Sequence, residues 1–213
     1  MTEARVPRLP IGEARAAADE AGVPDYMAEL SIFQVLLNHP TLARAINDLL
    51  ATMLWHGRLA PRLRELVIMR IGWLTASDYE WTQHWRVACG LGVPAADLLG
   101  VRDWPTHDGF GSVERAVLAA TDEVVRDGAV SGPTWAVCER ELGADSAVLI
   151  ELVTAIGAWR MSRRSCTASK CRWSRVLRAG RRTVSRRAGR SAPHGRRRCR
   201  SDLSALWRPL LGQ

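Results

Sequence analysis

The chain has 213 residues, 47% of them hydrophobic, which is enough for one well-packed core. Its formal charge of +8 is unevenly placed: residues 162–213 hold fifteen Arg and one Lys against Asp202 alone, +15, which leaves −7 for residues 1–161. The body is therefore acidic and excludes a broad nucleic-acid-binding face. No apolar run reaches the roughly 18 residues of a membrane span, the N-terminus lacks a secretory pattern, and five irregularly spaced cysteines argue against a disulfide framework. Those features place the chain in a reducing cytoplasm.

In chain order, residues 1–10, with Pro7 and Pro10, form a loose lead-in. Glu13 to Ala21 is Ala-rich and helical, stopped by Gly22 and Pro24. Tyr26 to Leu37 has helical spacing. Asn38-His39-Pro40 starts a longer helix, with Pro40 at the first position, where its missing N–H costs nothing. Leu42, Ile46, Leu49, Leu50 and Met53 give its apolar stripe, and Gly57 closes it. Pro61 opens a helix that is apolar on more than one face through Leu74, the mark of a central element. Ser77 to Cys89 forms the next, ended by Gly90 and Gly92. A short turn follows at Pro94–Leu99, then a loop over Gly100–Gly111. Ser112–Arg126 is strongly amphipathic, Ser131 caps a helix to about Leu142, and Asp145 or Ser146 begins the last one through Trp159. Strand alternation is absent, so the predicted fold class is all-α.

The organisation divides into residues 1–28 (lead-in and first helix), 29–161 (helical domain) and 162–213 (tail). In the tail Ser, Arg, Ala, Gly and Pro displace apolar periodicity, so two readings stand there: a disordered basic segment, or translation of an out-of-frame stretch of GC-rich DNA. A disordered basic tail could bind nucleic acid through phosphates.

Chemistry concentrates on two adjacent helices. Glu80 and His84 are four residues apart on one helix and share a face. Ser77 lies one turn earlier, and Glu65 sits on the preceding helix, where antiparallel packing would bring it near. A carboxylate that orients imidazole raises its basicity, and histidine titrates near neutral pH, so the group suits proton transfer. A second reading of Ser77-Asp78-Tyr79-Glu80 is a capping box that satisfies helix-end N–H groups. His84 also reads as a plain core histidine, and Glu65 as an ordinary helix carboxylate beside Arg62 and Arg64. Tyr79, Trp81, Trp73 and Trp85 could line an apolar pocket or fill core, while Arg70 and Arg86 could receive a substrate carboxylate or sit on the surface. Glu65, Glu80 and His84 have no standard metal spacing, and no cofactor is expected.

The stretch Arg64-Glu65-Leu66 through Gln83-His84 resembles the signature of the carboxymuconolactone decarboxylase/AhpD-like family, as do Leu-Leu-Asn-His-Pro-Thr-Leu and His-Gly-Arg-Leu-Ala-Pro-Arg upstream. In that family a Glu precedes a Cys-x-x-Cys-x-x-x-His motif with eleven residues between them. Glu65 and His84 keep the Glu and His positions; Ser77 and Glu80 stand in place of the two cysteines. The resemblance spans Glu29 to Met161 and implies an AhpD-like helical bundle, a small-molecule substrate and a homo-oligomer, trimer or hexamer. With the dithiol missing, it implies acid–base work on a small carboxylic or lactone substrate by Glu65, Ser77, Glu80 and His84, with Tyr79 and Trp81 against the substrate. A peroxide-reducing enzyme is disfavoured, because a hydroxyl cannot cycle through a disulfide. A non-catalytic helical oligomer, or a nucleic-acid binder acting through its tail, is the alternative from another class.

Overall fold

In a computed structural model, residues 6–169 are described. Among them regular structure is helical throughout, as nine α-helices and two 3-10 turns. The helices are α1 (Ile11–Ala21), α2 (Ser31–Leu36), α3 (Pro40–Trp55), α4 (Pro61–Leu74), α5 (Asp78–Gly90), α6 (Ala95–Gly100), α7 (Ser112–Asp127), α8 (Gly132–Glu141) and α9 (Ser146–Ser169). Helix ends follow local chemistry. Prolines open α3, α4 and α8, where no intrahelical N–H is needed. Ser77 and Ser131 accept from backbone N–H groups three residues on. α1 ends at Gly22, whose φ of 66° suits a residue without Cβ.

α4 is the axis of the molecule. Leu63 through Gly72 are all buried, and α5, α7 and α9 pack around it. Burial on every face traps Arg70, which answers with a bidentate pair to Asp122 (2.6 and 2.7 Å) and bonds to the carbonyls of Val101 and Arg102. This guanidinium braces α4 against α7 and the 3-10 turn Val101–Thr106, so the sequence-based option of Arg70 as a carboxylate receiver gives way to a structural role. α4 and α5 approach closely at Gly72, where an added Cβ would lie 3.2 Å from the Trp81 backbone nitrogen.

Two apolar clusters make up the core. The larger joins α4, α7, α8 and α9; the smaller joins α1, the 3-10 turn Asp25–Glu29, α2 and α3, with Tyr79. Three sequence-based expectations change here. The single helix read over Tyr26–Leu37 is a 3-10 turn and a short helix, broken at Leu30 in extended conformation (ψ 127°). The lead-in is tied down from Pro7 onward: Leu9 N–H donates to the Gln34 carbonyl (3.0 Å), and the Asn38 amide to the Pro7 carbonyl (3.0 Å). α9 continues past Met161 to Ser169. Most of the residues on which the tail readings rest, 170–213, lie outside those described. No described helix is long and apolar enough to cross a membrane.

Candidate active site

The α4–α5 hairpin sets the site. Ser77 caps α5 and starts it immediately after α4, so the two helices pack antiparallel and Glu65 meets His84 across the seam. Glu65, fully buried, takes His84 Nδ1 at 2.8 Å on one oxygen and Arg64 Nε at 3.1 Å on the other. Arg64 in turn donates to the carbonyls of Met53 (3.3 Å) and Leu54 (3.1 Å), at the negative C-terminal end of α3. The buried Glu65 charge is thus paired and hydrogen-bonded, the condition under which burying it is tolerable.

His84 Nε2 has its own partner. The indole Nε1–H of Trp159, from α9, donates to it at 2.9 Å, with the two rings edge to face. Because indole nitrogen only donates, Nε2 must be the acceptor; the tautomer inferred from these partners carries its hydrogen on Nδ1, toward Glu65. Glu80 Oε2 lies 3.7 Å from Nε2, too far for a hydrogen bond to a neutral ring but close enough to act by charge. Burial disfavours the charged ring. The charge and hydrogen bond of Glu65, helped by Glu80 and opposed by Arg64, outweigh that and raise the His84 pKa above its ordinary 6.5.

The ring faces a cavity of about 90 Å³. Its wall is mainly apolar, built from Met27, Leu30, Phe33, Leu50, Leu54 and Val87, with Asn47, Glu80, Gln83 and His84 as its polar patch. Tyr26, Tyr79 and Trp159 also line it, and burial raises the Tyr26 pKa, keeping that phenol protonated. The N-terminal elements therefore help to wall a cavity beside which α4 and α5 bring Glu65, Glu80 and His84 together.

Sequence-based site residues divide accordingly. Glu65, Glu80 and His84 converge, and Tyr79 lines the cavity. Ser77 accepts from the Glu80 N–H at 3.3 Å as the α5 cap and is not part of the lining. Trp81 lies outside the lining too; it stands between Trp73 and Trp85, each 6.0 Å away, over the α4–α5 contact. Trp159 was missed: nothing local marks a tryptophan 75 positions from its histidine. Among the described residues no three His, Cys, Asp or Glu side chains group to hold a metal ion.

The described residues form an AhpD-like all-α fold. Residues 40–123 match the carboxymuconolactone decarboxylase family. The fold is similar to that of a peroxidase-related protein from Ralstonia eutropha JMP134 described as an alkylhydroperoxidase AhpD core. That comparison gives 17% identity and a TM-score of 0.62, covering 82% of this chain and 94% of that one. A peroxidase-related protein from Silicibacter sp. TM1040 is similar at 12% identity and TM-score 0.61, over 82% and 96% of the two chains. A protein of unknown function from Agrobacterium tumefaciens matches at 16% identity and TM-score 0.59, over 65% and 94%. A comparison with curated proteins found no match.

Proposed function

We propose that the protein is an acid–base enzyme acting on a small, uncharged lactone or carbonyl compound, with His84 as the group that moves the proton. The observation that carries this reading is a largely buried imidazole, held by Glu65 at 2.8 Å, that helps to line an otherwise mainly apolar cavity. Glu65 orients the ring and stabilises its charged form, so Nε2 can take a proton from substrate and return it at another atom. Glu80, beside Nε2, favours the imidazolium that forms. The electron pair left on the substrate is delocalised into its carbonyl, and the proton's return completes the cycle without an external reagent.

Substrate class follows from the walls. No Arg or Lys is among the described residues lining the cavity, and Glu80 would repel a carboxylate, which favours a neutral substrate over a free acid. A cavity of about 90 Å³ limits the substrate to a small compound. A thiol route to peroxide reduction has no support at this place, since Ser77 and Glu80 occupy the motif positions.

The test is exchange of substrate protons with deuterated solvent, followed by NMR over a panel of small lactones and their carboxylated counterparts. Neutral lactones should exchange, and His84→Ala should lower the rate by about 10²–10⁴-fold. An equal rate in the variant refutes the reading.

A further inference from the structure

Nε2 of His84 stands between two neighbours of opposite character. The Trp159 indole N–H, at 2.9 Å, can only donate. The Glu80 carboxylate, at 3.7 Å on the adjacent turn, can only accept while ionised. Nδ1 is already committed to Glu65. A neutral ring therefore satisfies Trp159. An imidazolium has no lone pair left at Nε2, loses the indole bond and directs its new N–H to Glu80. Both bonds cannot exist in one protonation state.

We infer that Trp159 is a positioning residue that caps the resting base: it holds neutral His84 in the Nδ1–H tautomer and yields Nε2 to Glu80 when the ring takes up a proton. The catalytic meaning of this exchange rests on the acid–base reading above, but the exchange itself needs no substrate. The indole keeps its own hydrogen throughout. The proton arriving at Nε2 comes from substrate or water and leaves its electron pair behind. Because Trp159 bonds only the neutral form, it opposes the raising influence of Glu65 and Glu80 on ring basicity. The other groups to weigh are few: Arg64 from α4 disfavours the charged ring, Tyr26 and Tyr79 share the cavity, and Arg160 of α9 is bonded to the Val124 carbonyl.

The experiment is NMR titration of the full chain, following His84 ring nitrogens and the Trp159 indole N–H from about pH 5 to pH 9. The indole proton should move upfield on acidification, with the same midpoint as His84. Trp159→Phe should raise the His84 midpoint by about half to one pH unit, the equivalent of one ordinary hydrogen bond, and Glu80→Gln should lower it. An indole resonance that stays flat through the His84 midpoint overturns the inference, as does an unchanged midpoint in a folded Trp159→Phe. If that variant does not fold, the wild-type resonance, assigned by its proximity to the His84 ring, decides alone. Deuterium exchange into lactones is scored separately. Coupled titration without turnover sinks the enzyme reading and leaves the exchange standing; turnover with an unresponsive indole does the reverse.

Discussion

His84, Glu65 and Arg64 form a chain of paired groups, and that makes the consequences of substitution sharp. Glu65→Gln removes the charge that raises the His84 pKa and leaves the Arg64 guanidinium buried without its counterion. The expected result is a His84 midpoint lower than wild type and a stability loss of about 3–5 kcal/mol, read from denaturant unfolding. The pH dependence has a definite sign. A folded pKa above 6.5 means that the native state binds this proton more tightly than the unfolded chain. Its stabilisation is complete below about pH 6.5 and fades as pH rises through the folded value. Unfolding free energies measured on both sides of that window should show the fall in wild type and a weaker fall in Glu65→Gln. Ser77→Ala should cost about 1 kcal/mol, the value of an N-cap, while leaving turnover in place; a variant that is stable but inactive would return Ser77 to the chemistry. At this scale the sequence was legible where spacing fixes geometry. Glu80 and His84 share a face at four residues' separation. It was illegible where contact depends on a distant helix, as with Trp159, or on which flank of a helix meets the cavity, as with Trp81.

Elements were read best where backbone chemistry punctuates them. Pro40, Pro61, Ser77, Ser131 and Gly22 each mark a boundary that the fold respects, because capping and proline placement are local effects. The break at Leu30 was not legible, since the apolar spacing across it suits one continuous helix while packing against α1 and α9 suits two pieces. The α4–α5 seam carries its own prediction. At Gly72 a methyl group would meet the Trp81 backbone nitrogen at 3.2 Å and Glu80 Cβ at 3.5 Å. Alanine would gain up to about 1 kcal/mol in helix propensity, against about 1–3 kcal/mol for overpacking a tight contact. Gly72→Ala should therefore destabilise by about 1 kcal/mol and shift the His84 titration, because the atoms it pushes are those that place Glu80. Thermal unfolding and the same NMR titration check both effects.

Across the whole molecule, the family-matched stretch 40–123 supplies Glu65, Glu80 and His84, whereas much of the cavity wall comes from outside it. Tyr26, Met27, Leu30, Ile32 and Phe33 precede that stretch, and Trp159 follows it. A chain shortened to begin at Pro40 should lose the smaller core cluster and expose its α3 face. The expected outcome is a lower unfolding midpoint and no turnover, read by calorimetry and the deuterium assay. The division at residue 28 thus separates residues that one core joins: α1 reads as an independent Ala-rich helix, and only the packing of Ala14 and Ala18 beneath α3 reveals its role.

The first turn of α5 carries a capping hydroxyl, Ser77, and a carboxylate, Glu80, and no thiol. Of the cysteines among the described residues, Cys89 and Cys138 are not bonded to each other, neither borders the cavity, and burial pushes the Cys138 thiol toward its protonated, unreactive form. On the proposed acid–base reading, proton concentration is the variable to which this pocket would answer, through the raised His84 pKa and the Glu80 carboxylate beside its Nε2.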